Sequence, residues 1–212
     1  MSIHPSIVAS MQSSLPDLVV FDLETTGLSP RWHEIIQIAA VRLDADGVIG
    51  AAFSTYVRPR RPIPAHITNI TGITNADVAD APAPEDALRA FAGFVADTGP
   101  DATLVAHNGH RFDLRFLAET SARHGLATRP VAFIDSLWLS KKLWPECALH
   151  NLDAISERLA ISADALAHPR HDARADVHLL ATAVRHMLDQ LYPSHCTETL
   201  ETEISRHDFV SA

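Results

Sequence analysis

FDLETTGL occupies residues 21–28 and follows the apolar residues LVV at 18–20. The apolar run predicts a buried strand over 18–24. Side chains alternate along a strand, so Asp22 and Glu24 point to the same face. Two carboxylates at that spacing repel each other, and their burial is costly unless cations neutralise them. The stretch therefore indicates either a cation site or two acids at the exposed end of a strand, and its spacing alone does not separate these two readings.

The residues that follow predict a tight turn. Thr25, Thr26, Gly27 and Leu28 combine two hydroxyl groups with a glycine. Backbone amides in such a turn can approach a phosphate or a sugar closely.

Two further apolar segments surround a hairpin signal. EIIQIAAVRLD (34–44) and VIGAAFSTYVRP (48–59) flank Ala45-Asp46-Gly47, which favours a hairpin turn. Three strands are therefore expected early in the chain, with the second and third antiparallel. The proline-rich stretch RPRRPIPAHI (58–67) is expected to be irregular and to run over the surface.

The second half of the chain alternates helical and strand patterns. Short apolar segments predict strands over 102–108 and 132–135. Amphipathic spacing predicts helices over 83–97, 112–125, 149–161 and 173–191. This order indicates an α/β fold with a five-stranded mixed sheet and helices on both faces. Residues 1–16 are expected to form a flexible N-terminus, 17–192 the folded domain and 193–212 a short acidic C-terminal tail.

Two more groups of polar residues lie at predicted helix starts. Asp113 comes just after a strand, at a crevice position where ligands commonly bind in α/β folds, although an acid there can simply favour the helix dipole. His171 and Asp176 lie around the start of the last helix. Taken by itself, a surface histidine beside a capping Asp172 is the simpler explanation of that pattern.

Together, the three groups resemble the three motifs of the DEDD exonucleases, in the subgroup whose third motif carries histidine (DEDDh). The family pattern is Asp-x-Glu, a distant Asp, and His-x4-Asp. In this chain it reads Asp22-x-Glu24, Asp113 and His171-x4-Asp176. ITNITGITNADV (67–78) also resembles the proofreading exonuclease domain of Gram-positive-type replicative polymerases, and HNLDAISERLAI (150–161) the helix between the second and third motifs.

The resemblance implies a ribonuclease H-like fold and a 3′–5′ exonuclease over residues 17–192. Asp22, Glu24, Asp113 and Asp176 would hold two Mg²⁺ or Mn²⁺ ions, and His171 would be the general base for the attacking water. The products would be 5′-nucleoside monophosphates. Further contacts to the terminal nucleotide are expected from Thr25, Thr26, Leu28, Asn108, Phe112, Thr71 and His66. Thr71 stands where the bacterial proofreading ε subunit has histidine.

Composition narrows the expected partners. The net charge of −9 argues against tight binding to long duplex DNA and suits an enzyme that holds a few terminal nucleotides. No apolar stretch approaches the roughly 20 residues that a membrane helix needs, and the N-terminus does not resemble a signal peptide. The two cysteines, Cys147 and Cys196, suggest reduced thiols in a cytoplasmic protein.

Several alternatives remain at this stage. His107 with His110, or His168 with His171, could be a zinc pair, but neither has cysteine partners. Arg58, Arg60 and Arg61 could follow a phosphate backbone or form a solvated loop. Core packing or anchoring at a helix edge is expected for Trp138 and Trp144, whereas the role of Trp32 stays open.

The substrate and the polymerase association also stay open. The expected substrate is a single-stranded or frayed 3′ end of DNA, with RNA as the alternative. A DNA polymerase is a candidate partner, and the chain would then act mainly as a proofreading subunit. An exoribonuclease that trims RNA is the other alternative. The sequence does not distinguish DNA from RNA, because that discrimination depends on contacts at the 2′ position of the sugar.

Overall fold

The computed structural model describes residues 17–44, 46–161, 172–192 and 203–211. This part of the chain contains six strands and six helices. The strands are β1 (Leu18–Thr25), β2 (Ile35–Leu43), β3 (Ile49–Tyr56), β4 (Thr103–Ala106), β5 (Thr128–Asp135) and β6 (Ser205–Val210). The helices are α1 (Ala65–Thr71), α2 (Pro84–Thr98), α3 (Asp113–Arg123), α4 (Ser136–Leu143), α5 (Leu152–Arg158) and α6 (Ala173–Leu191).

The strands form one mixed sheet in the order β3-β2-β1-β4-β5-β6. β1, β2 and β3 are antiparallel neighbours, as predicted for the first three strands. β4 lies parallel to β1, and β5 lies parallel to β4. The expected mixed α/β sheet is therefore confirmed. The carboxyl ends of β1, β4 and β5 meet at one edge, where parallel strands commonly present a site.

The prediction of five strands and a C-terminal tail is wrong at β6. Residues 205–210 pair antiparallel with Thr128–Phe133. Phe209 is 1% exposed, and its ring meets Phe91 edge-on with centroids 5.4 Å apart. The strand has few apolar residues, so its hydrophobic pattern is weak, and backbone pairing with β5 supplies much of what holds it.

Two apolar cores cover the two faces of the sheet. Phe21, Leu23 and Phe133 pack with α2 and α3 on one face. Leu18 and Val20 pack with α4, α5 and α6 on the other. Helices on both faces are therefore confirmed. Because side chains alternate along β1, Asp22 and Glu24 continue the row of Leu18 and Val20 on the α6 face.

Other boundaries differ from the sequence prediction. Helix α1 begins inside the stretch expected to be irregular, with Pro64 at its N-cap, because proline is compatible with a helix start. Helix α4 was not predicted. Its N-cap is Asp135, whose carboxylate accepts a hydrogen bond from the amide of Leu137. The hairpin residue Ala45 lies outside the described residues.

No helix in the described ranges is both long enough and apolar enough to cross a membrane.

Candidate active site

Strand β1 carries the first two predicted site residues. Asp22 pairs with Ala39 of β2, and Glu24 pairs with Gln37. Both acids are half-buried. Since paired residues of neighbouring strands share a face, Gln37 lies beside Glu24 under the start of α6.

Gln37 connects the sheet to α6. Its Nε2 donates to Oδ1 of Asp172 at 3.2 Å, and its Oε1 accepts the amide N–H of Ala173 at 3.1 Å. Asp172 is the N-cap of α6 and accepts from the amide of Arg174. These bonds hold the first turn of α6, which contains Asp176, against the strand that neighbours β1. Asp176 is 8% exposed.

The three carboxylates converge as a result. Asp22, Glu24 and Asp176 each offer an oxygen atom, and these atoms lie within 4.8 Å of one another. In the part of the chain that the structure describes, no histidine or cysteine joins this group. Three like charges at that separation repel each other strongly away from bulk water. An oxygen-only donor set of this kind suits Mg²⁺ or Mn²⁺ and disfavours zinc.

Asp113 is the first residue of α3 and is 3% exposed. Burial raises the pKa of its carboxyl group to about 7, and the negative charge of Asp135 adds to the rise. Backbone hydrogen bonds, from its own amide and that of Leu23, act in the opposite direction. The Leu23 contact places Asp113 against β1 between Asp22 and Glu24. Its Oδ1 is buried with no hydrogen-bond partner among the described residues.

The loop before Asp113 is held by Asp135. Oδ1 of Asp135 accepts from the amide of Asn108 at 2.8 Å, and Oδ2 accepts from the amide of His110 at 3.2 Å. Asn108 has a positive φ of 58°. A side chain on Gly109 would place its Cβ 2.7 Å from the Phe133 ring. The loop therefore lies too close to β5 for a larger residue at position 109.

The turn after β1 is closed by hydrogen bonds. The amide of Thr26 donates to the Glu34 carbonyl at 2.8 Å, and the amide of Glu34 donates to the Thr26 hydroxyl at 2.9 Å. The Thr25 hydroxyl donates to the Gly27 carbonyl at 2.7 Å. Both threonines are buried, whereas Leu28 is 84% exposed. Leu28 is therefore free to contact a ligand, while the two hydroxyls shape the turn.

The remaining predicted substrate contacts fall in different places. Asn108 and the half-buried Phe112 lie on the loop that leads to Asp113. Thr71 is buried, donates to the Ile67 carbonyl at 3.0 Å and accepts the Ile73 amide, so its hydroxyl holds the end of α1. His66 is exposed on the same helix. His171 and His168 lie outside the described residues.

The histidines weighed as zinc ligands have other partners. The Nδ1 of His107 lies 2.9 Å from the Ser136 hydroxyl, and burial lowers the pKa of this imidazole. His110 packs against Trp138, with ring centroids 4.9 Å apart. Arg60, from the basic cluster, pairs with Glu34 at 2.8 Å.

Sequence reasoning missed two residues that build the site, Gln37 and Asp135. Gln37 is the single amide within the apolar run EIIQIAA, and a buried polar group in such a run needs a hydrogen-bond partner. Asp135 ends the strand segment AFID, a position that also suits a helix N-cap. Both signals were present, but neither names its partner.

A family model described as RNase T exonuclease matches residues 19–184, a range that includes Asp22, Glu24, Asp113 and Asp176. The chain belongs to this exonuclease family. The family assignment agrees with the resemblance to the DEDD exonucleases and with the ribonuclease H-like arrangement of the sheet.

Curated relatives of this exonuclease chain are much longer proteins. A PolC-type DNA polymerase III of Streptococcus sanguinis is 34% identical over 180 residues, which are 85% of this chain and 12% of that protein. A DNA polymerase III subunit epsilon-like protein of Rhodobacter capsulatus is 41% identical over 194 residues, which are 89% of this chain and 26% of that protein. The chain therefore spans about an eighth to a quarter of these two relatives.

Solved structures of exonucleases share the fold. Exonuclease X in complex with 5′-overhanging duplex DNA is 29% identical, with a TM-score of 0.66 over 82% of this chain and 92% of that one. The nuclease domain of 3′hExo, a DEDDh family member bound to rAMP, is 20% identical, with a TM-score of 0.73 over 83% of this chain and 93% of that one.

Proposed function

We propose that this chain is a 3′–5′ exonuclease that hydrolyses the terminal phosphodiester bond of DNA and releases 5′-nucleoside monophosphates. The observation that carries the proposal is the convergence of the Asp22, Glu24 and Asp176 carboxylates to within 4.8 Å. Family membership supports the reaction class. Carboxylates gathered at the carboxyl edge of a mixed sheet suit chemistry on a phosphate better than a structural role, because the clustering itself is costly.

The donor set fits two divalent cations, Mg²⁺ or Mn²⁺. Three half-buried or buried carboxylates offer only oxygen, and Asp113 adds a buried Oδ1 with no hydrogen-bond partner among the described residues. The resemblance implies that all four acids would hold the metals. When bound, two such ions would supply charge stabilisation for the attacking and leaving oxygens of an in-line displacement.

The chain's own residues would perform the remaining tasks. Asp113 would have to lose the proton that its raised pKa favours, and cation binding promotes that loss. His171 would accept a proton from the attacking water, because an imidazole titrates near neutral pH. Leu28 would lie against the terminal base. Thr25 and Thr26, whose buried hydroxyls hold the turn, would place that turn at the 3′-hydroxyl end. Asn108 and Phe112 are proposed second contacts, and His66 and Thr71 weaker ones.

DNA is the proposed substrate, as a single-stranded or frayed 3′ end. Two observations favour it over RNA: the curated relatives are named as DNA polymerase III components, and Exonuclease X was solved with DNA. A polymerase-bound proofreading subunit remains the second candidate, on the same relatives. The cytoplasm is the proposed location.

The test uses oligonucleotides labelled at either end, as single-stranded DNA, duplex DNA and RNA, with Mg²⁺, Mn²⁺ or EDTA. We expect metal-dependent release of mononucleotides from the 3′ end, fastest on single-stranded DNA. Asp22→Asn should reduce the rate at least about a hundredfold, as loss of electrostatic stabilisation at a reacting centre commonly does.

Asp97→Asn is the matched control, since Asp97 is exposed on α2. It should act at the wild-type rate. Digestion by Asp22→Asn at the wild-type rate would contradict the assignment of the active site. Faster digestion of RNA than of DNA would make RNA the preferred substrate. Pull-down with a replicative polymerase together with weak activity alone would favour the proofreading subunit.

A further inference from the structure

Two large apolar side chains are exposed on the loop between Thr26 and Glu34. Leu28 is 84% exposed and Trp32 is 64% exposed. Leu28 already has a proposed contact with the terminal base, whereas Trp32 has none. An indole is the largest apolar side chain, so leaving it in water costs more than leaving out most others. The exposed face of the Trp32 ring is therefore available to a ligand.

The loop that carries Trp32 is anchored at several points. Thr26 and Glu34 close its base through two hydrogen bonds. Within the loop, the amides of Trp32 and His33 donate to the Ser29 carbonyl at 3.0 and 2.8 Å.

A second anchor comes from α3. The Arg123 guanidinium donates to the carbonyl of Pro30 at 2.9 Å and to that of Arg31 at 3.3 Å. The His33 ring also lies so close to Gly27 that a Cβ there would be 2.5 Å from it. Trp32 is thus presented on a loop of defined shape, which lowers the entropic cost of binding.

A cation lies beside the exposed indole. The Arg31 guanidinium is 5.0 Å from the centre of the Trp32 ring, a distance typical of a cation–π contact. An aromatic platform next to a positive charge is the arrangement that binds single-stranded nucleic acid, since bases stack on the ring and phosphates meet the cation. In a chain with a net charge of −9, such a local cation matters more than it would on a basic surface.

The position of the loop is continuous with the proposed active site. Strand β1 carries Asp22 and Glu24 and then runs directly into Thr25 and Thr26. A single-stranded nucleic acid whose terminal base lies against Leu28 would continue along the same loop. The bases beyond the terminal one would then meet Trp32.

We propose that Trp32 stacks on a base of the substrate strand beyond the one that Leu28 holds, with Arg31 beside the adjoining phosphate. The ligand class is single-stranded nucleic acid of at least two nucleotides. This inference rests on the proposed exonuclease function and adds a second nucleotide position to it.

The kinetic test compares a one-nucleoside substrate, the p-nitrophenyl ester of thymidine 5′-monophosphate, with a single-stranded thymidine oligonucleotide. For Trp32→Ala we expect the KM for the oligonucleotide to rise about tenfold or more relative to the KM for the ester, in line with the loss of one stacked base. Trp32→Phe keeps an aromatic face, so its KM for the oligonucleotide should return most of the way to the wild-type value. Val48→Ala, at the opposite end of the sheet, should leave the ratio of the two KM values unchanged.

Equal changes in both KM values for Trp32→Ala, or no change in either, would overturn the inference. If the wild-type protein hydrolyses neither substrate, the proposed function fails, and direct binding then tests Trp32 by itself. In EDTA, titration with the oligonucleotide should quench tryptophan fluorescence of the wild type.

Trp32→Phe should lose most of that quenching, because the indole is gone, yet bind the oligonucleotide nearly as tightly as the wild type, whereas Trp32→Ala should bind it more weakly. Trp138→Phe removes another exposed indole, 53% exposed, and should keep the quenching. Quenching that persists in Trp32→Phe and disappears in Trp138→Phe would place the stacked base elsewhere and contradict the inference.

Discussion

Asp135 accepts a hydrogen bond from the backbone amide of Asn108 at 2.8 Å, between residues 27 positions apart in the chain. The same carboxylate accepts from the amides of His110 and Leu137. One buried anion thus fixes the loop that leads to Asp113 and begins helix α4. It also raises the pKa of Asp113, after the larger effect of burial.

Asp135→Asn should impair catalysis even though Asp135 is not proposed to contact the substrate. The amide nitrogen would face a backbone N–H in place of an acceptor, at a cost of about 1–3 kcal/mol in unfolding free energy. We expect kcat to fall about tenfold or more with little change in KM, because the loop would no longer position Asp113. Steady-state kinetics and urea unfolding measure both effects. The Asp97→Asn protein is the control, and an unchanged kcat would refute the positioning role.

Asp22→Asn should have opposite effects on the metal-free and metal-loaded protein. Removing one of three clustered charges relieves repulsion, so the unfolding midpoint in EDTA should rise. In the wild type, Mn²⁺ at a hundred times its Kd should add about 2.7 kcal/mol, or about 5–10 °C in Tm. The variant should lose most of that shift. Differential scanning fluorimetry measures both quantities, and an undiminished shift in the variant would place the metal elsewhere.

The stability of the metal-free protein should fall as pH rises from about 4 to about 8. Asp113 has its pKa raised from 3.8 to about 7 in the folded chain, so the native state binds more protons than the unfolded state between these values. Its contribution is fully present below the unfolded pKa and is lost as pH rises through about 7, on the order of a few kcal/mol.

The Asp113→Asn variant should lack that part of the pH dependence. Urea unfolding in EDTA at pH 5 and pH 8 compares it with the wild type and with Asp97→Asn. Parallel losses of stability in all three proteins would show that Asp113 titrates normally.

Phe209→Ala should destabilise the fold through β6. Phe209 is 1% exposed and contacts Phe91, and loss of a buried aromatic ring costs about 3–5 kcal/mol. Asp208→Ala changes the exposed neighbour on the same strand and should cost much less. Chemical denaturation of the two variants gives the comparison. Equal stability of both would mean that β6 contributes little to the core.

Much of the fold was predictable from local pattern. The apolar runs in 18–24 and 34–44 predicted the strands that β1 and β2 confirm, and the helical spacing of 173–191 matches α6 to the residue. Such predictions succeed where apolar residues recur regularly, or without interruption, over a whole element. β6 was not predicted because SRHDFV carries only two strongly apolar residues. Helix α4 was not predicted because its start depends on the tertiary partners of Asp135.

The sequence by itself determined the order and identity of the acidic residues, since spacing along β1 already put Asp22 and Glu24 on one face. Local spacing could not determine which distant acids join them, and only the resemblance to the DEDD exonucleases indicated Asp113 and Asp176. Tertiary structure decided that Asp176 lies within 4.8 Å of both, because Gln37 holds the start of α6 on the sheet. It also decided the burial of Asp113, since the dielectric around a carboxyl group depends on everything packed against it and on no local pattern.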